Sequence, residues 1–130
     1  MKYSQKLKGT LLEDFTPLGK KGKVEALEII DIVVGDGEEV PADATITAHY
    51  TGALCTDGTI FESSKDSGRP ATFGLNQVID GWTQGVPGMK VGGTRRLIIP
   101  SELAYGQRRA SSTIGPNSDL VFDIELVAVQ

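Results

Sequence analysis

The sequence predicts an α+β fold in which a twisted antiparallel β-sheet packs on one short α-helix. Runs rich in Ile, Val and Thr end at glycine-containing turns, a pattern typical of short strands. Only one stretch carries apolar residues at helical spacing. The 130 residues are enough for one hydrophobic core and contain no internal repeat, so we expect a single domain.

Four stretches are predicted as strands, namely 27–34, 45–50, 95–99 and 120–129. The first is rich in Ile and Val and stops at a Gly-Asp-Gly turn. Apolar and polar side chains alternate in the second and the fourth, as expected for half-buried strands of an antiparallel sheet. The dipeptide Asp57-Gly58 follows the second stretch and predicts a hairpin turn.

One helix is predicted over residues 77–84, with Asn76 as its N-cap. Val78, Ile79 and Trp82 fall on one face of such a helix. A Gly-Val-Pro-Gly sequence follows and ends it.

Residues 1–24 are predicted to be an N-terminal extension, and residues 25–130 the folded domain. Glycine and proline interrupt any long helix in the extension. Two alternatives remain for it, an extra edge strand or a loose arm.

The composition excludes several classes of partner. A formal net charge of -4 and a pI of about 4.9 make the chain a poor general binder of nucleic acid or anionic membrane. No stretch is long and apolar enough for a bilayer span or a signal peptide. The single cysteine, Cys55, allows no intrachain disulfide and fits a reducing compartment. We therefore expect a cytoplasmic protein, and the alternative is a secreted or membrane-anchored protein trimmed of its targeting segment.

Few residues are suited to acid–base, covalent or metal chemistry. The only histidine, His49, lies in a predicted strand beside no nucleophile motif. With Cys55 it cannot supply the set of ligands that zinc requires, so we expect neither a metal nor a cofactor. Residues 35–40 begin like a dinucleotide-binding fingerprint, but Val40 occupies the third glycine position.

Large apolar residues instead cluster near loops and the predicted helix. Tyr105 is followed by glycine in a predicted loop, and Ile114 precedes a Gly-Pro turn. Loops rarely carry large apolar side chains unless these line a cavity. Each residue taken singly fits an ordinary core, but together they indicate an apolar pocket. The set comprises Tyr50, Phe61, Phe73, Val78, Ile79, Trp82, Tyr105, Ile114 and Phe122.

Several motifs in a fixed order resemble the FKBP family of peptidyl-prolyl cis-trans isomerases. The Ala-His-Tyr-Thr-Gly sequence at 48–52 and the segment 57–64 resemble the family's hairpin. Residues 78–82, Val-Ile-Asp-Gly-Trp, resemble its pocket helix. The resemblance extends from about residue 27 to residue 129. The remaining matches are 92–100, 103–106, 114–116 and 120–126.

The resemblance implies an FKBP-like sheet that half-wraps the short helix, and a role for each pocket residue. The indole of Trp82 forms the pocket floor in this interpretation. The N–H of Ile79 and the hydroxyl of Tyr105 donate hydrogen bonds to peptide carbonyls, and Ile114 lies on a loop that covers the site. The implied catalytic set is Tyr50, Phe61, Glu62, Trp82, Tyr105 and Phe122. The implied ligand-binding set is Phe73, Val78, Ile79 and Ile114.

By the same resemblance, the expected activity is rotation of X-Pro bonds in folding or flexible proteins. The alternative is an FKBP-like binding module that recruits a protein or a macrolide with little catalysis. The implied partners are prolyl-containing polypeptides and macrolide immunosuppressants, and the implied state is a monomer. Two positions depart from the family pattern. Glu62 stands where Asp is usual, and Ala71 stands where an aromatic residue often lines the pocket.

Overall fold

A computed structural model describes residues 6–130 and contains six strands and one α-helix. It also contains two single-turn 3₁₀ helices, Ser64–Asp66 and Ser101–Leu103. Within the described residues, no helix is long and apolar enough to cross a membrane. The elements in chain order are β1 (Glu28–Val33), β2 (Thr45–Leu54), β3 (Ile60–Ser63), β4 (Ala71–Gly74), α1 (Asp80–Gly85), β5 (Thr94–Ile99) and β6 (Leu120–Val129).

The six strands form one antiparallel sheet in the order β1-β5-β6-β2-β3, and β4 pairs with β2 beside β3. The long strand β2 pairs along its whole length with β6. On its other edge β2 pairs first with β4 and then with β3. This arrangement confirms the predicted α+β class and the four predicted strands. The four residues of β4 were too few to show periodicity in the sequence.

The helix begins later than its spacing predicts. The sequence pattern placed it over 77–84 behind an Asn76 cap, whereas α1 starts at Asp80 with Ile79 as its N-cap. Ile79 is extended, with ψ of 153°. The amide of Gln77 instead donates to Gly74 O at 2.9 Å, which closes a turn before the helix. Val78 and Ile79 therefore belong to the loop that leads into α1.

Close packing of α1 on β5 explains the two glycines of this short helix. A Cβ atom at Gly81 would lie 2.6 Å from Ile99 Cγ2, and one at Gly85 would lie 2.7 Å from Leu97 Cδ2. Both strand residues are fully buried. Glycine lowers helix stability by about 1 kcal/mol relative to alanine. Here that loss allows the helix to lie directly against the sheet.

The described part of the N-terminal extension packs along the outer side of the sheet. Leu11 forms a β-bridge with Thr59, and the amide of Ile60 donates to Thr10 O at 2.8 Å. Leu12 and Val24 are buried in a second apolar cluster behind the sheet. The described residues 6–24 are thus not a loose arm. The domain boundary at residue 24 stays a prediction.

Cys55 lies in this second cluster and is 1% exposed. Burial raises the pKa of its thiol from 9.0 to about 12, and the charge of Asp119 adds to the rise. The folded state therefore holds the Cys55 proton above pH 9, where the unfolded chain releases it. Stability from this difference is complete below pH 9 and is lost as the pH rises toward 12.

We expect the free energy of unfolding to fall more between about pH 8 and about pH 10.5 in the wild type than in Cys55→Ala. Chemical denaturation at both pH values measures the difference. All other titrating groups are common to the two proteins, so their contribution cancels in the comparison. Parallel pH dependences in the two proteins would show that Cys55 is not held protonated by the fold.

Candidate active site

An open cavity of about 410 Å³ lies between α1 and the strands that face it. Its side chains come from β2, β3, β4, β6, α1, the loop before α1, and the loop after β5. Most of the lining is aromatic or aliphatic, which suits an apolar ligand. The lining residues are Tyr50, Phe61, Glu62, Phe73, Gln77, Val78, Ile79, Trp82, Tyr105 and Phe122.

Trp82 lies at the centre of a packed group of aromatic rings. Its centroid is 5.7 Å from that of Tyr50, 5.0 Å from Phe73 and 5.3 Å from Phe122, and all three pairs meet edge to face. Edge-to-face pairs contribute about 0.5–1.5 kcal/mol each beyond the area they bury. The indole is 4% exposed, so these neighbours fix its position. The cavity therefore has a rigid aromatic base.

Gly52 sets the spacing of two further aromatic side chains. It pairs with Glu62 of β3 on one side and with Phe122 of β6 on the other. A Cβ atom at this position would lie 2.6 Å from Phe61 Cζ and 2.6 Å from Phe122 Cε2. The rings of Phe61 and Phe122, 5.7 Å apart at their centroids, fill the space that the missing side chain leaves. Glycine at 52 is thus required by the pocket wall.

Gly52→Ala is expected to displace both rings and to destabilise the domain by about 1–3 kcal/mol, the usual result of overpacking a core. If the activity is the one that the sequence resemblance implies, turnover of a prolyl peptide is expected to fall by roughly tenfold, because the wall of the pocket moves. Denaturation and peptide kinetics measure the two effects. Gly68→Ala is the control for turnover: no atom lies within 4 Å of a Cβ there, so its cost is confined to the backbone strain that a φ of 76° imposes. Unchanged turnover in a folded Gly52→Ala protein would contradict the assignment of this wall.

The polar groups at the pocket are few. Burial raises the pKa of Tyr50 above its ordinary range, and the neighbouring Glu62 carboxylate raises it further, so the Tyr50 hydroxyl stays protonated. Tyr105 is 42% exposed at the mouth of the cavity. Among the described residues, neither its hydroxyl nor the N–H of Ile79 donates a hydrogen bond. Both donors remain available to a ligand.

Behind the pocket, Ser64 supports the backbone that carries Tyr50. The Tyr50 amide donates to Ser64 Oγ at 2.8 Å, and His49 Nδ1 lies 2.9 Å from the same oxygen. Ser64 is 6% exposed, at the start of the 3₁₀ turn after β3. His49 therefore belongs to the strand scaffold and not to the cavity.

Nine of the ten residues predicted from the sequence line this cavity. Ile114 does not: it is 6% exposed in the core and faces a neighbouring cleft. That cleft also contacts Phe61, Glu62 and Tyr105, so the two cavities adjoin. Gln77 was missed because the pocket was predicted from large apolar residues, and glutamine is polar. Its only signal was its position next to Val78.

The residue types around the pocket do not form a metal site. No group of three or more His, Cys, Asp or Glu side chains with metal-binding geometry occurs within residues 6–130.

Ala71 lies outside the lining of the cavity, and Phe73, two residues along β4, supplies the aromatic wall on that side. The site can bind, orient and desolvate a ligand.

Comparison with known proteins gives consistent matches. The sequence profile of the FKBP-type peptidyl-prolyl cis-trans isomerases matches residues 36–127. The FKBP-type peptidyl-prolyl cis-trans isomerase FkpA of Aeromonas hydrophila is 53% identical over 97 residues, covering 75% of this chain and 35% of that protein. The FK506-binding protein of Streptomyces anulatus is 49% identical over 106 residues, covering 79% of this chain and 86% of that protein. The crystal structure of AtFKBP13 superposes with a TM-score of 0.72 at 41% identity, covering 87% of this chain and 97% of that one.

The fold and the site together define a small α+β domain with an aromatic pocket between its helix and its sheet. The profile match and the identities extend over most of the chain, including the elements that carry the pocket. The chain belongs to the FKBP-type peptidyl-prolyl cis-trans isomerase family. It spans about a third of the length of the Aeromonas relative.

Proposed function

We propose that this chain catalyses cis–trans isomerisation of X-Pro peptide bonds in the aromatic pocket. The observation that carries the proposal is the packed ring group around Trp82, which gives the pocket a dry, rigid base. Family membership agrees with it. The proposed catalytic residues are Tyr50, Phe61, Glu62, Trp82, Tyr105 and Phe122, and the proposed ligand contacts are Phe73, Val78, Ile79 and Ile114.

The chemistry of amide rotation suits a pocket of this kind. The planar amide owes its barrier of about 18–20 kcal/mol to resonance. At the twisted transition state the bond loses resonance and much of its dipole, so an apolar pocket disfavours it less than it disfavours the planar ground state. The difference lowers the barrier without transfer of a proton and without breakage of a bond. Each ~1.4 kcal/mol of such preference gives about tenfold in rate.

Two hydrogen-bond donors at the rim can orient the substrate. We assign the N–H of Ile79 and the hydroxyl of Tyr105 to the carbonyls that flank the prolyl ring. Ile79 lies directly before α1, where its extended conformation leaves the N–H without a helical partner. Such contacts keep the ring against Trp82 while the preceding amide rotates.

The test is the cis-to-trans rate of a short X-Pro peptide with and without catalytic amounts of the protein. Uncatalysed exchange takes tens to hundreds of seconds, so acceleration is easily resolved. We expect the rate constant to rise in proportion to protein concentration. A folded sample that gives no acceleration would refute the enzyme and favour a binding module that uses the same pocket.

Binding of a macrolide is the second proposal for this pocket. The Streptomyces relative is named an FK506-binding protein, and Phe73 provides an aromatic wall on the side where Ala71 provides none. FK506 is expected to inhibit turnover competitively. Binding is measured separately from catalysis by titrating FK506 into the protein and following the fluorescence of Trp82, the one tryptophan of the chain.

We further expect prolyl-containing polypeptides as substrates, a monomer in solution and a cytoplasmic location. We do not expect nucleic acid or anionic membrane as partners, because a chain with a net charge of -4 is repelled by both. Sedimentation tests the oligomeric state, and fractionation of the source cells tests the location.

A further inference from the structure

A second cavity, the side cleft, adjoins the aromatic pocket and has a volume of about 480 Å³. The two cavities share three lining residues, Phe61, Glu62 and Tyr105. Tyr105 is also one of the two donors assigned above to the carbonyls that flank the prolyl ring. A substrate chain that leaves the pocket past Tyr105 therefore enters the side cleft.

The N-terminal segment forms one wall of the side cleft, through Lys6 and Lys8. The carboxylate of Asp66, in the turn after β3, accepts the backbone amide of Leu7 at 2.6 Å and that of Lys8 at 3.0 Å. The amide of Gly9 then donates to a carbonyl of β3 at 2.8 Å. These bonds hold the wall beside the cleft. The family profile begins at residue 36, so this wall lies outside the part of the chain that the profile matches.

The opposite wall is the loop of residues 110–114. The amide of Ala110 donates to Ile114 O at 3.0 Å, which closes the loop. Ile114 is 6% exposed and packs in the main core, so it anchors this wall. The hydroxyls of Ser112 and Thr113 have no hydrogen-bond partner among the described residues. The loop therefore offers free hydroxyls on an anchored backbone.

The side cleft is polar where the aromatic pocket is apolar. Its lining contains two ammonium groups, of Lys6 and Lys8, and two carboxylates, of Glu62 and Asp66. These charges balance, so the lining does not favour a ligand of one sign. A main chain with uncharged polar side chains can bond to these groups and to the free hydroxyls. An apolar segment would cover them without a partner, which is unfavourable.

We propose that the side cleft binds the polar stretch of a substrate next to its prolyl residue, and that Asp66 positions the N-terminal wall for this contact. The inference rests on the proposed isomerase function and adds a substrate class to it, X-Pro bonds flanked on one side by uncharged polar residues. Asp66 acts through the backbone of residues 7 and 8 and touches no reacting atom. Contacts this far from the rotating bond are equal in the ground state and the transition state, so they lower KM and leave kcat unchanged.

Peptides of different length test the proposal. The reference is a four-residue peptide with one X-Pro bond, and two longer peptides extend it by three serine or glutamine residues at either end. Three extended residues span about 10 Å. One extension is expected to lower KM by roughly tenfold and the other to leave it unchanged, because only one end of a bound chain passes Tyr105. An extension of leucine and valine at the favoured end is expected to lower KM by less than about threefold.

Substitution of Asp66 tests the role of the N-terminal wall. Asp66→Ala is expected to raise KM for the favoured long peptide by roughly fivefold or more, with kcat unchanged and with both constants unchanged for the four-residue peptide. Asp66→Asn keeps one acceptor oxygen and is expected to restore part of the gain. The matched control is Asp57→Ala, which removes a carboxylate that accepts the amide of Thr59 at 2.9 Å outside the cleft lining. It is expected to keep the full gain.

Each contrary result points to a different error. Equal KM values for the short and the polar long peptides, with the short one turned over, would refute the side cleft and leave the isomerase intact. A gain that persists in Asp66→Ala would show that the N-terminal wall takes no part. An equal gain from the leucine and valine extension would show that apolar surface binds the chain. A folded sample that turns over no peptide would refute the isomerase and this inference with it.

Discussion

Trp82→Leu is expected to reduce kcat/KM for a short X-Pro peptide by roughly a hundredfold, about 2.7 kcal/mol of transition-state stabilisation. The indole contacts three aromatic rings and forms the base on which a prolyl ring would rest. Leucine is smaller and has no flat face. It would leave a gap that the neighbouring rings close only in part, so the pocket loses both shape and dryness.

The same substitution is expected to destabilise the fold, and the two effects can be separated. Loss of a buried aromatic side chain lowers stability by several kcal/mol, about 3–5 when alanine replaces it. The Trp82 Nε1 atom is buried with no partner among the described residues, so its removal breaks no hydrogen bond. Trp82→Phe keeps a flat ring and omits that unpaired group, and we expect it to retain more activity than the leucine variant.

Both variants lack the only tryptophan of the chain, so its fluorescence cannot report their folding. Circular dichroism is used instead. Kinetics are then compared at a temperature where each variant is folded. A folded Trp82→Leu protein with undiminished kcat/KM would show that catalysis does not use this pocket.

Much of the site could be predicted because its residues lie on strands with clear alternation. Tyr50 and Phe122 belong to β2 and β6, whose patterns were readable over several residues. Their pairing brings Gly52 opposite Phe122 and so turns two separate sequence patterns into one wall. The resemblance to a family supplied the order of the elements. It also supplied the role of the loop residue Tyr105, which has no periodic pattern of its own.

The errors have physical causes. The start of α1 was misplaced because Val78 and Ile79 have helical spacing with Trp82, whereas both precede the helix and pack against the core from the loop. The role of Ile114 as a ligand contact stays a prediction, since its side chain lies in the cleft that adjoins the pocket. The N-terminal segment could not be predicted because its order depends on contacts distant in sequence. Leu7 and Lys8, for example, donate their backbone amides to Asp66 at 2.6 and 3.0 Å.

Those distant contacts lead to a second large effect, at Asp119. This residue precedes β6 and is 7% exposed. Its Oδ2 accepts the amide of Val24 at 2.7 Å, and its Oδ1 accepts the amide of Ser101 at 2.8 Å. One carboxylate thus joins the N-terminal segment to the 3₁₀ turn that leads toward Tyr105.

Asp119→Ala is expected to lower the free energy of unfolding by about 3–5 kcal/mol, because two buried N–H groups lose their acceptor and each unsatisfied donor costs about 1–3 kcal/mol. Chemical denaturation measures the loss. Asp119→Asn keeps one acceptor oxygen and is expected to fall between alanine and the wild type.

The matched control is Asp57→Ala, which removes a carboxylate that accepts the amide of Thr59 at 2.9 Å on the exposed surface. Water can replace that acceptor, so we expect a change of less than about 1 kcal/mol. A similar small change for Asp119→Ala would mean that water also reaches the amides of Val24 and Ser101. In that case the N-terminal segment would be held to the sheet by its backbone pairing with residues 58–60 and by the apolar contacts of Leu12 and Val24, and not by the carboxylate.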